Sequence, residues 1–428
     1  MDSASISDIK TFSVPTFTLM DVLARRFVLG AFSKLKIGHL VLEEEGEVFS
    51  FGQALVDSRN HAHIVVKDKS AYFDFFFNGT IGSAEAYMRG AWTTPDLLSV
   101  VRLMVANLEW LSRLNAGRPW LSRAVFNVGH FLKRNSKQGS QQNIAAHYDL
   151  GNDFFELFLD PTMMYSSAIY PSADAGLEEA STHKLETICR KLKLKDTDHL
   201  LEIGTGWGGM AIYAAQNYGC KVTTTTISRE QYEFAKNKVA SLGLQDQITL
   251  LLKDYRDLEG QYDKVVSIEM IEAVGHQFYE NYFSVCNGLL KSDGLMLIQA
   301  ITIPDQRYEY AKASVDFIKK YIFPGGCLPS NEVIAACISK YTDMQIIDLH
   351  DITDHYAKTL NAWYQDFRRN VDKVVEQGFD DVFCRMWEFY LLYCEGGFRE
   401  RVISTSQVLF AKPGYRVDEQ ENSYSTYQ

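Results

Sequence analysis

The sequence lacks a long apolar run, which limits how the chain could meet a membrane. No stretch of 18 or more consecutive apolar residues occurs in its 428 residues, so no membrane-spanning helix is predicted. The first 20 residues hold Asp2, Asp8 and a single lysine. No basic segment precedes an apolar one there, and no secretory signal is expected.

Paired cysteines and an excess of basic charge are also missing. The seven cysteines include no C-x-x-C pair, so neither a disulfide framework nor a zinc site is expected. We interpret them as reduced thiols in a cytosolic protein. Lysine and arginine number 43 against 54 acidic residues, and the net charge of −11 argues against nucleic acid as a partner. A hydrophobic content of 46% excludes a disordered chain.

One segment departs from this acidic balance. Residues 102–137 contain seven basic residues and one acid, Glu109, with Trp110 and Trp120 among them. Cations near an anionic leaflet contribute about 1 kcal/mol each, so a helix that docks on a membrane surface is one interpretation. A solvated helical face is the other, and composition alone favours it.

The pattern along the chain predicts two structural units. Residues 39–77 alternate like strands, with hairpins predicted at Glu45-Gly46 and at residues 67–70. The polar residues 135–143 mark a boundary. We therefore predict a smaller N-terminal α+β domain (1–134), a linker (135–143), a larger domain (144–415) and a disordered tail (416–428).

Strands and helices alternate in the larger unit, which predicts a doubly wound α/β fold with a mostly parallel sheet. The predicted strands are His199–Ile203, Lys221–Thr226, Ile248–Leu252 and residues 264–268 and 295–298. Residues 306–400 are predicted to be mainly helical. Residues 402–410 are predicted to close the sheet as an edge strand.

A glycine-rich turn follows the first of these strands. Gly204, Gly206 and Gly209 fit a dinucleotide-binding turn, whereas residues 202–208 fit the E-x-G-x-G-x-G turn that binds S-adenosylmethionine. A dinucleotide site should have an acid at the end of the second strand, which instead reads Thr226-Ile227-Ser228. S-adenosylmethionine is therefore favoured, and a nicotinamide oxidoreductase is the lesser alternative.

Two segments near this turn allow both a structural and a functional interpretation. Ser228 and Gln231 have the spacing of a helix capping box, and they could also face the cofactor. Residues 254–257, Asp-Tyr-Arg-Asp, follow a strand where adenine could bind, or they form an ordinary polar loop.

Longer motifs surround the glycine turn. They are residues 147–155, 164–168, 226–231, 254–257, 269–275, 321–329 and 394–399. In this order, and from about residue 81 to residue 411, the chain resembles the cyclopropane-fatty-acyl-phospholipid synthases and the mycolic acid cyclopropane synthases.

The resemblance implies a class I methyltransferase (Rossmann-like) fold with a helical cap. It implies transfer of a methylene group from S-adenosylmethionine to the cis double bond of an unsaturated acyl chain in a membrane phospholipid, forming a cyclopropane ring. It also implies a homodimer, cytoplasmic and peripheral to the inner face of the membrane, whose N-terminal domain docks on lipid.

Carried over position by position, the resemblance assigns three sets of residues. Cofactor binding falls to Tyr165, Ser166, Glu202, Gly204, Thr205, Gly206, Gly208, Thr226, Ile227, Ser228, Gln231, Tyr255 and Arg256. Catalytic roles fall to Cys394, Glu272 and Tyr364. A bicarbonate ion would be held by Ser167, Glu272, Gln299, Ile301 and Tyr364, and no metal is predicted.

The residue types suit this chemistry. An alkene that attacks a sulfonium methyl group leaves a carbocation, which aromatic faces stabilise by about 0.5–2 kcal/mol each. Tyr165, Trp363 and Tyr390 could supply such faces, although each could equally be core. The proton acceptor could be weak, either bicarbonate or Glu272 itself. Cys394 precedes Glu395 and should ionise little, so it could simply shape the pocket.

Three positions differ from the common bacterial cyclopropane synthases. Ser167 and Gln299 replace a cysteine and a histidine, and Ala273 replaces a histidine after the glutamate. These departures leave open a methyl or methylene branch without ring closure, or a small-molecule N-methyltransferase. A catalytically silent binding protein is disfavoured, because Glu272, Tyr364 and Cys394 are all present.

Overall fold

A computed structural model describes residues 19–53, 60–108 and 150–417 of the chain. The predicted linker (135–143), most of the basic segment (102–137) and tail residues 418–428 lie outside the described residues, so those predictions stay open. In the described ranges, no helix combines the length and apolar character needed to cross a bilayer.

The N-terminal part mixes helices with a small sheet, as predicted. Its elements are α1 (Leu19–Phe32), β1 (His39–Glu44), β2 (Glu47–Gly52), β3 (His61–Val66), α2 (Ser70–Phe73), a π-helical turn (Asp74–Asn78), α3 (Gly79–Met88), β4 (Trp92–Thr93) and α4 (Leu97–Ala106). The four strands lie in the order β2-β1-β3-β4.

One of the two predicted hairpins is present. Strands β1 and β2 pair antiparallel around Glu45-Gly46, where both residues have positive φ. The hairpin predicted at residues 67–70 is wrong. There the Asp68 carboxylate accepts a hydrogen bond from Ser70 N at the start of α2, so the chain leaves β3 as a helix. Strand β3 pairs instead with β1 and β4.

The larger part alternates strands and helices. Its elements are α5 (Asn152–Phe155), α6 (Leu177–Lys191), β5 (His199–Ile203), α7 (Gly209–Tyr218), β6 (Lys221–Thr226), α8 (Arg229–Ser241), β7 (Ile248–Leu252), a 3-10 turn (Tyr255–Asp257), β8 (Tyr262–Ile268), α9 (Ile271–Val274), a second 3-10 turn (His276–Phe278), α10 (Tyr279–Leu289), β9 (Leu290–Thr302), α11 (Asp305–Ala313), a π-helical turn (Ile318–Ile322), α12 (Asn331–Tyr341), β10 (Gln345–Asp351), α13 (Thr353–Arg369), α14 (Val371–Glu376), α15 (Asp381–Arg399) and β11 (Ser404–Ala411).

These strands form one seven-stranded sheet in the order β10-β11-β9-β8-β5-β6-β7. Strands β9, β8, β5, β6 and β7 pair in parallel, and they include all five predicted strands. The edge-strand prediction for residues 402–410 is wrong. Strand β11 lies between β9 and β10 and is antiparallel to both. The edge is β10, inside the region predicted to be helical, where a half-exposed strand gives a weak apolar signal.

Neighbouring residues of each central strand face opposite sides of the sheet, which produces two cores. Leu201 and Val265 pack in one apolar cluster, whereas Leu200 and Val266 pack in the other. This arrangement follows from the two-residue period of a strand. Helices cover both faces, so the predicted doubly wound, class I methyltransferase-like fold is confirmed.

Helices α13, α14 and α15 form the helical cap, and they share a third core with the N-terminal elements. Helix α15 packs so closely on α4 that a Cβ atom built at Gly396 would lie 2.5 Å from Val101 Cγ1. Polar contacts reinforce this packing, including Arg102 Nε to Glu400 Oε1 at 2.6 Å. The cap therefore rests on the N-terminal part. The boundaries predicted at residues 134 and 144 lie outside the described residues and stay predictions.

Candidate active site

The glycine turn has the backbone geometry that a close ligand approach requires. Gly204, Gly206 and Gly208 all have positive φ, at 103°, 53° and 92°. Side chains are strained in this region, so glycine is needed there. Gly209 opens α7, and a Cβ atom on it would lie 2.7 Å from the Thr162 carbonyl oxygen. The turn is thus packed against the segment that leads to Tyr165.

Glu202 lies beneath this turn. Its Oε2 accepts a hydrogen bond from Thr224 Oγ1 at 2.6 Å, and Thr205 Oγ1 lies 2.7 Å from the same hydroxyl. Burial raises the pKa of Glu202 to about 8, although Thr224 and Lys184 oppose that shift. The predicted residues Glu202, Gly204, Thr205, Gly206 and Gly208 are therefore brought together as one unit.

The residues at the end of β6 and the start of α8 hydrogen-bond to one another. Ser228 caps α8, since its Oγ accepts from Gln231 N at 3.3 Å. The capping interpretation is confirmed, but the Gln231 side chain does not return to Ser228: its Oε1 accepts from Thr226 Oγ1 at 2.9 Å. These three residues and Ile227 adjoin the glycine turn through the backbone bond from Thr205 N to Thr225 O. Their contact with a cofactor stays a prediction.

Tyr255 and Arg256 are both engaged with other side chains. The Tyr255 ring packs edge-on against Tyr282 in the core. The Arg256 guanidinium bonds both carboxylate oxygens of Asp254, at 2.7 and 2.6 Å, and lies over the ring of Phe278. The structure therefore favours the structural interpretation of these two side chains.

A carboxylate that the sequence prediction overlooked lies at the centre of the site. Glu269 directly follows β8, at the edge of the sheet where β5 carries the glycine turn. Its Oε1 accepts from Ser167 N at 2.9 Å and from Gln299 Nε2 at 2.8 Å. Its Oε2 accepts from Tyr356 Oη at 2.7 Å. Burial raises the pKa of Glu269, and these three donors oppose the rise.

Glu272 lies one helical turn later on α9. Its Oε1 accepts the backbone N–H of Ile301. Its Oε2 is buried and has no hydrogen-bond partner among the described residues. Burial, followed by the nearby charge of Glu269, raises the pKa of Glu272 to about 8. Both effects disfavour the anionic form of Glu272.

Three of the donors predicted for bicarbonate are engaged with side chains of the protein. Ser167 and Gln299 bond Glu269, and Ile301 bonds Glu272, so these predicted donors already hold protein carboxylates. Bicarbonate binding at these residues stays a prediction.

The Tyr364 hydroxyl bonds a different carboxylate in the structure, and its catalytic role stays a prediction. Its hydroxyl donates to Glu388 Oε1 at 3.0 Å, and Tyr87 donates to the other oxygen at 2.9 Å. Tyr356, on the same helix, supplies the hydroxyl at Glu269 instead. Eight residues along an α-helix leave a rotation of about 80°, so these two tyrosines project in different directions.

Lys184 is a second residue that the sequence analysis missed. It is fully buried on α6, and its Nζ donates to Ser166 Oγ at 2.8 Å. Burial lowers its pKa to about 8, while the charge of Glu269 opposes that shift. A sequence signal did exist, because Ala180, Lys184 and Ile188 recur every four residues on the buried face of the helix.

Aromatic rings adjoin the carboxylates. The Tyr165 and Trp363 ring centroids lie 5.2 Å apart, and Trp363 and Tyr356 lie 6.1 Å apart. Tyr165 Oη is 2.9 Å from Tyr390 Oη. Cys394 interacts electrostatically with this group, and burial raises the pKa of its thiol far above the usual range. The structure thus brings the predicted aromatic residues together around a neutral thiol.

The chain is similar to known proteins along most of its length. Residues 135–408 match the family described as mycolic acid cyclopropane synthetase. The chain is 37% identical over 344 residues to the tuberculostearic acid methyltransferase UfaA1 of Mycobacterium tuberculosis, covering 79% of this chain and 80% of that relative. It is 36% identical over 370 residues to the cyclopropane-fatty-acyl-phospholipid synthase of Escherichia coli, covering 86% and 92%.

A solved structure shares the fold of the larger part. The mycolic acid cyclopropane synthase CmaA1, complexed with SAH and CTAB, aligns with a TM-score of 0.60 and 33% sequence identity. The alignment covers 64% of this chain and 98% of that chain.

Proposed function

This chain belongs to the mycolic acid cyclopropane synthetase family, and on that premise we propose that it transfers the methyl carbon of S-adenosylmethionine to a cis double bond in an unsaturated acyl chain of a membrane phospholipid. The predicted family is confirmed, and so is S-adenosylmethionine as the cofactor. The glycine turn fits this cofactor, because its three positive φ angles leave the backbone open to a ligand.

The observation that carries the proposal is the contact between aromatic rings and buried carboxylates. Carbon methylation of an alkene creates a cation and then releases a proton, so it needs cation-stabilising faces beside a proton acceptor. Tyr165, Tyr356 and Trp363 supply the faces, worth about 0.5–2 kcal/mol each, next to Glu269. Tyr356 and Trp363 are buried and Tyr165 is partly buried, which limits the access of water that would otherwise capture the cation.

Two products can follow from the same cation. We propose the cyclopropane ring as the preferred candidate. The second candidate is a methyl- or methylene-branched chain formed without ring closure. The similarity to a tuberculostearic acid methyltransferase favours this second product. Both candidates share the first carbon–carbon bond and need the same aromatic surroundings.

The deciding experiment is product analysis. The protein is incubated with S-adenosylmethionine and vesicles of cis-monounsaturated phospholipid, and the acyl chains are examined by mass spectrometry and proton NMR. High-field ring-proton signals would identify the cyclopropane, and an added carbon without them would identify the branched chain. Absence of any added carbon in vesicles and in free unsaturated fatty acids would contradict the proposal.

We further propose that the protein works as a cytoplasmic homodimer on the inner face of the membrane, docked through its N-terminal part. Helix α1 supports the docking, because Leu23 and Phe27 are 46% and 58% exposed beside the exposed Arg26. Apolar side chains flanked by cations suit an anionic lipid surface. Sedimentation with anionic vesicles should fall for Phe27→Ser, and light scattering should give the mass of a dimer.

A further inference from the structure

Two of the residues predicted to hold bicarbonate, Ser167 and Gln299, instead donate to the carboxylate of Glu269. Both oxygens of Glu269 are held, by Ser167 N and Gln299 Nε2 on one side and by Tyr356 Oη on the other. We infer that Glu269 replaces an external bicarbonate and is the base that accepts the proton released in the transfer reaction. This inference rests on the proposed function and adds the proton acceptor to it.

The hydrogen bonds favour an ionised carboxylate, because two N–H donors and a hydroxyl converge on Glu269. The backbone N–H of Ser167 can only donate, and the orientation of the Gln299 amide is fixed from both ends. Its Oε1 accepts from Gln407 Nε2 at 3.1 Å, and its Nε2 also donates to the Ser167 carbonyl at 3.1 Å. The Gln299 amide therefore presents a donor to Glu269, which suits the charged form.

The neighbouring charges select Glu269 as the ionised member of the carboxylate pair. Glu272 has a single backbone donor, and two close carboxylates do not both ionise easily. The positive charge of Lys184 interacts favourably with Glu269. Glu202 also interacts with Lys184, but burial disfavours the anionic form of Glu202. Lys184 also interacts favourably with Asp160, and its positive charge favours the anionic form of Glu269.

The backbone at Glu269 is also unusual. Glu269 has a φ of 49°, one of five positive-φ residues other than glycine in the described ranges. A side chain in this region costs of order 1–3 kcal/mol and is found preferentially at functional sites. Glycine would relieve that strain, so a Glu269→Gly variant should fold while opening a space the size of a carboxylate.

The chemical step balances with this assignment. The π electron pair of the alkene forms a bond to the methyl carbon, and the carbon–sulfur bond breaks with its electron pair passing to sulfur. The resulting cation on the acyl chain loses a proton to a Glu269 oxygen. The released C–H electron pair closes the ring, or forms a double bond in the branched product. Glu269 then returns the proton to solvent before the next cycle.

The test compares wild type, Glu269→Gly and Glu269→Gln, assayed for label transfer from methyl-labelled S-adenosylmethionine to unsaturated phospholipid vesicles. Each is assayed in carbon-dioxide-free buffer and with added bicarbonate. Wild type should be active and insensitive to bicarbonate. Both variants should lose about 10²–10⁴-fold in turnover without it. Bicarbonate should rescue only Glu269→Gly, because the amide of Glu269→Gln still fills the site.

A binding measurement supplies a readout apart from turnover. Carbon-13 NMR of labelled bicarbonate should show line broadening with Glu269→Gly and none with wild type or Glu269→Gln. Wild-type dependence on bicarbonate, or full turnover of Glu269→Gly without it, would overturn the inference while leaving the proposed function intact. Wild type that transfers no label to any acyl chain would overturn the proposed function, and this inference with it.

Discussion

Replacing Tyr356 by phenylalanine should move the pH dependence of turnover, whereas the same change at Tyr364 should not. Of these two tyrosines, Tyr356 donates to Glu269 at 2.7 Å, whereas Tyr364 donates to Glu388. Glu269 must be ionised to accept a proton, so turnover should rise with pH as it ionises. Removing a donor that favours the ionised form raises the pKa of Glu269, and the acid limb should shift to higher pH.

The magnitude follows from the contact that is lost. A hydrogen bond to a charged group contributes about 1.5–3 kcal/mol, and about 1.4 kcal/mol corresponds to a factor of ten. The ionisation constant of Glu269 in Tyr356→Phe should therefore fall about 10- to 100-fold. Turnover would be reduced at neutral pH and recovered in part at alkaline pH.

The assay is the pH profile of kcat for both variants and the wild type, with circular dichroism as the check on folding. Tyr364→Phe is a matched control, because it removes one hydroxyl from the same helix. If Tyr364→Phe shifts the acid limb and Tyr356→Phe leaves it in place, the assignment of Tyr356 is refuted.

Three further outcomes are expected. Gly209→Ala should lower the free energy of unfolding by about 1–3 kcal/mol in chemical denaturation, because the added Cβ lies too close to a backbone carbonyl; an unchanged midpoint would contradict that packing. Tyr87→Phe and Tyr364→Phe should be coupled by about 0.5–3 kcal/mol in a double-mutant cycle, since both hydroxyls bond Glu388, and additive effects would refute the link. Cys394→Ala should keep most of its kcat, because burial holds the thiol neutral; a loss of 100-fold or more would restore a chemical role.

Much of the fold was predictable because its signals are local. Most of the parallel strands read as short runs of buried apolar residues, and β6 reads as a run of β-branched residues, so all five were found. The glycine turn was predictable for a similar reason, since positive φ angles restrict the residue type. Strand β10 was missed because one face is exposed, and β11 was misplaced because sequence order does not give spatial order.

The sequence by itself determined the fold class, the cofactor and the set of residue types in the site. Only the tertiary structure decided which of them meet. It placed the Tyr356 hydroxyl at Glu269 and Lys184 beside Ser166. It also placed Glu269 among the donors that were expected to hold an ion. The physical reason is that these contacts join β8, β9, α6 and α13, residues far apart in the chain. A motif records which side chains are present, but helix rotation and sheet order determine where each one points.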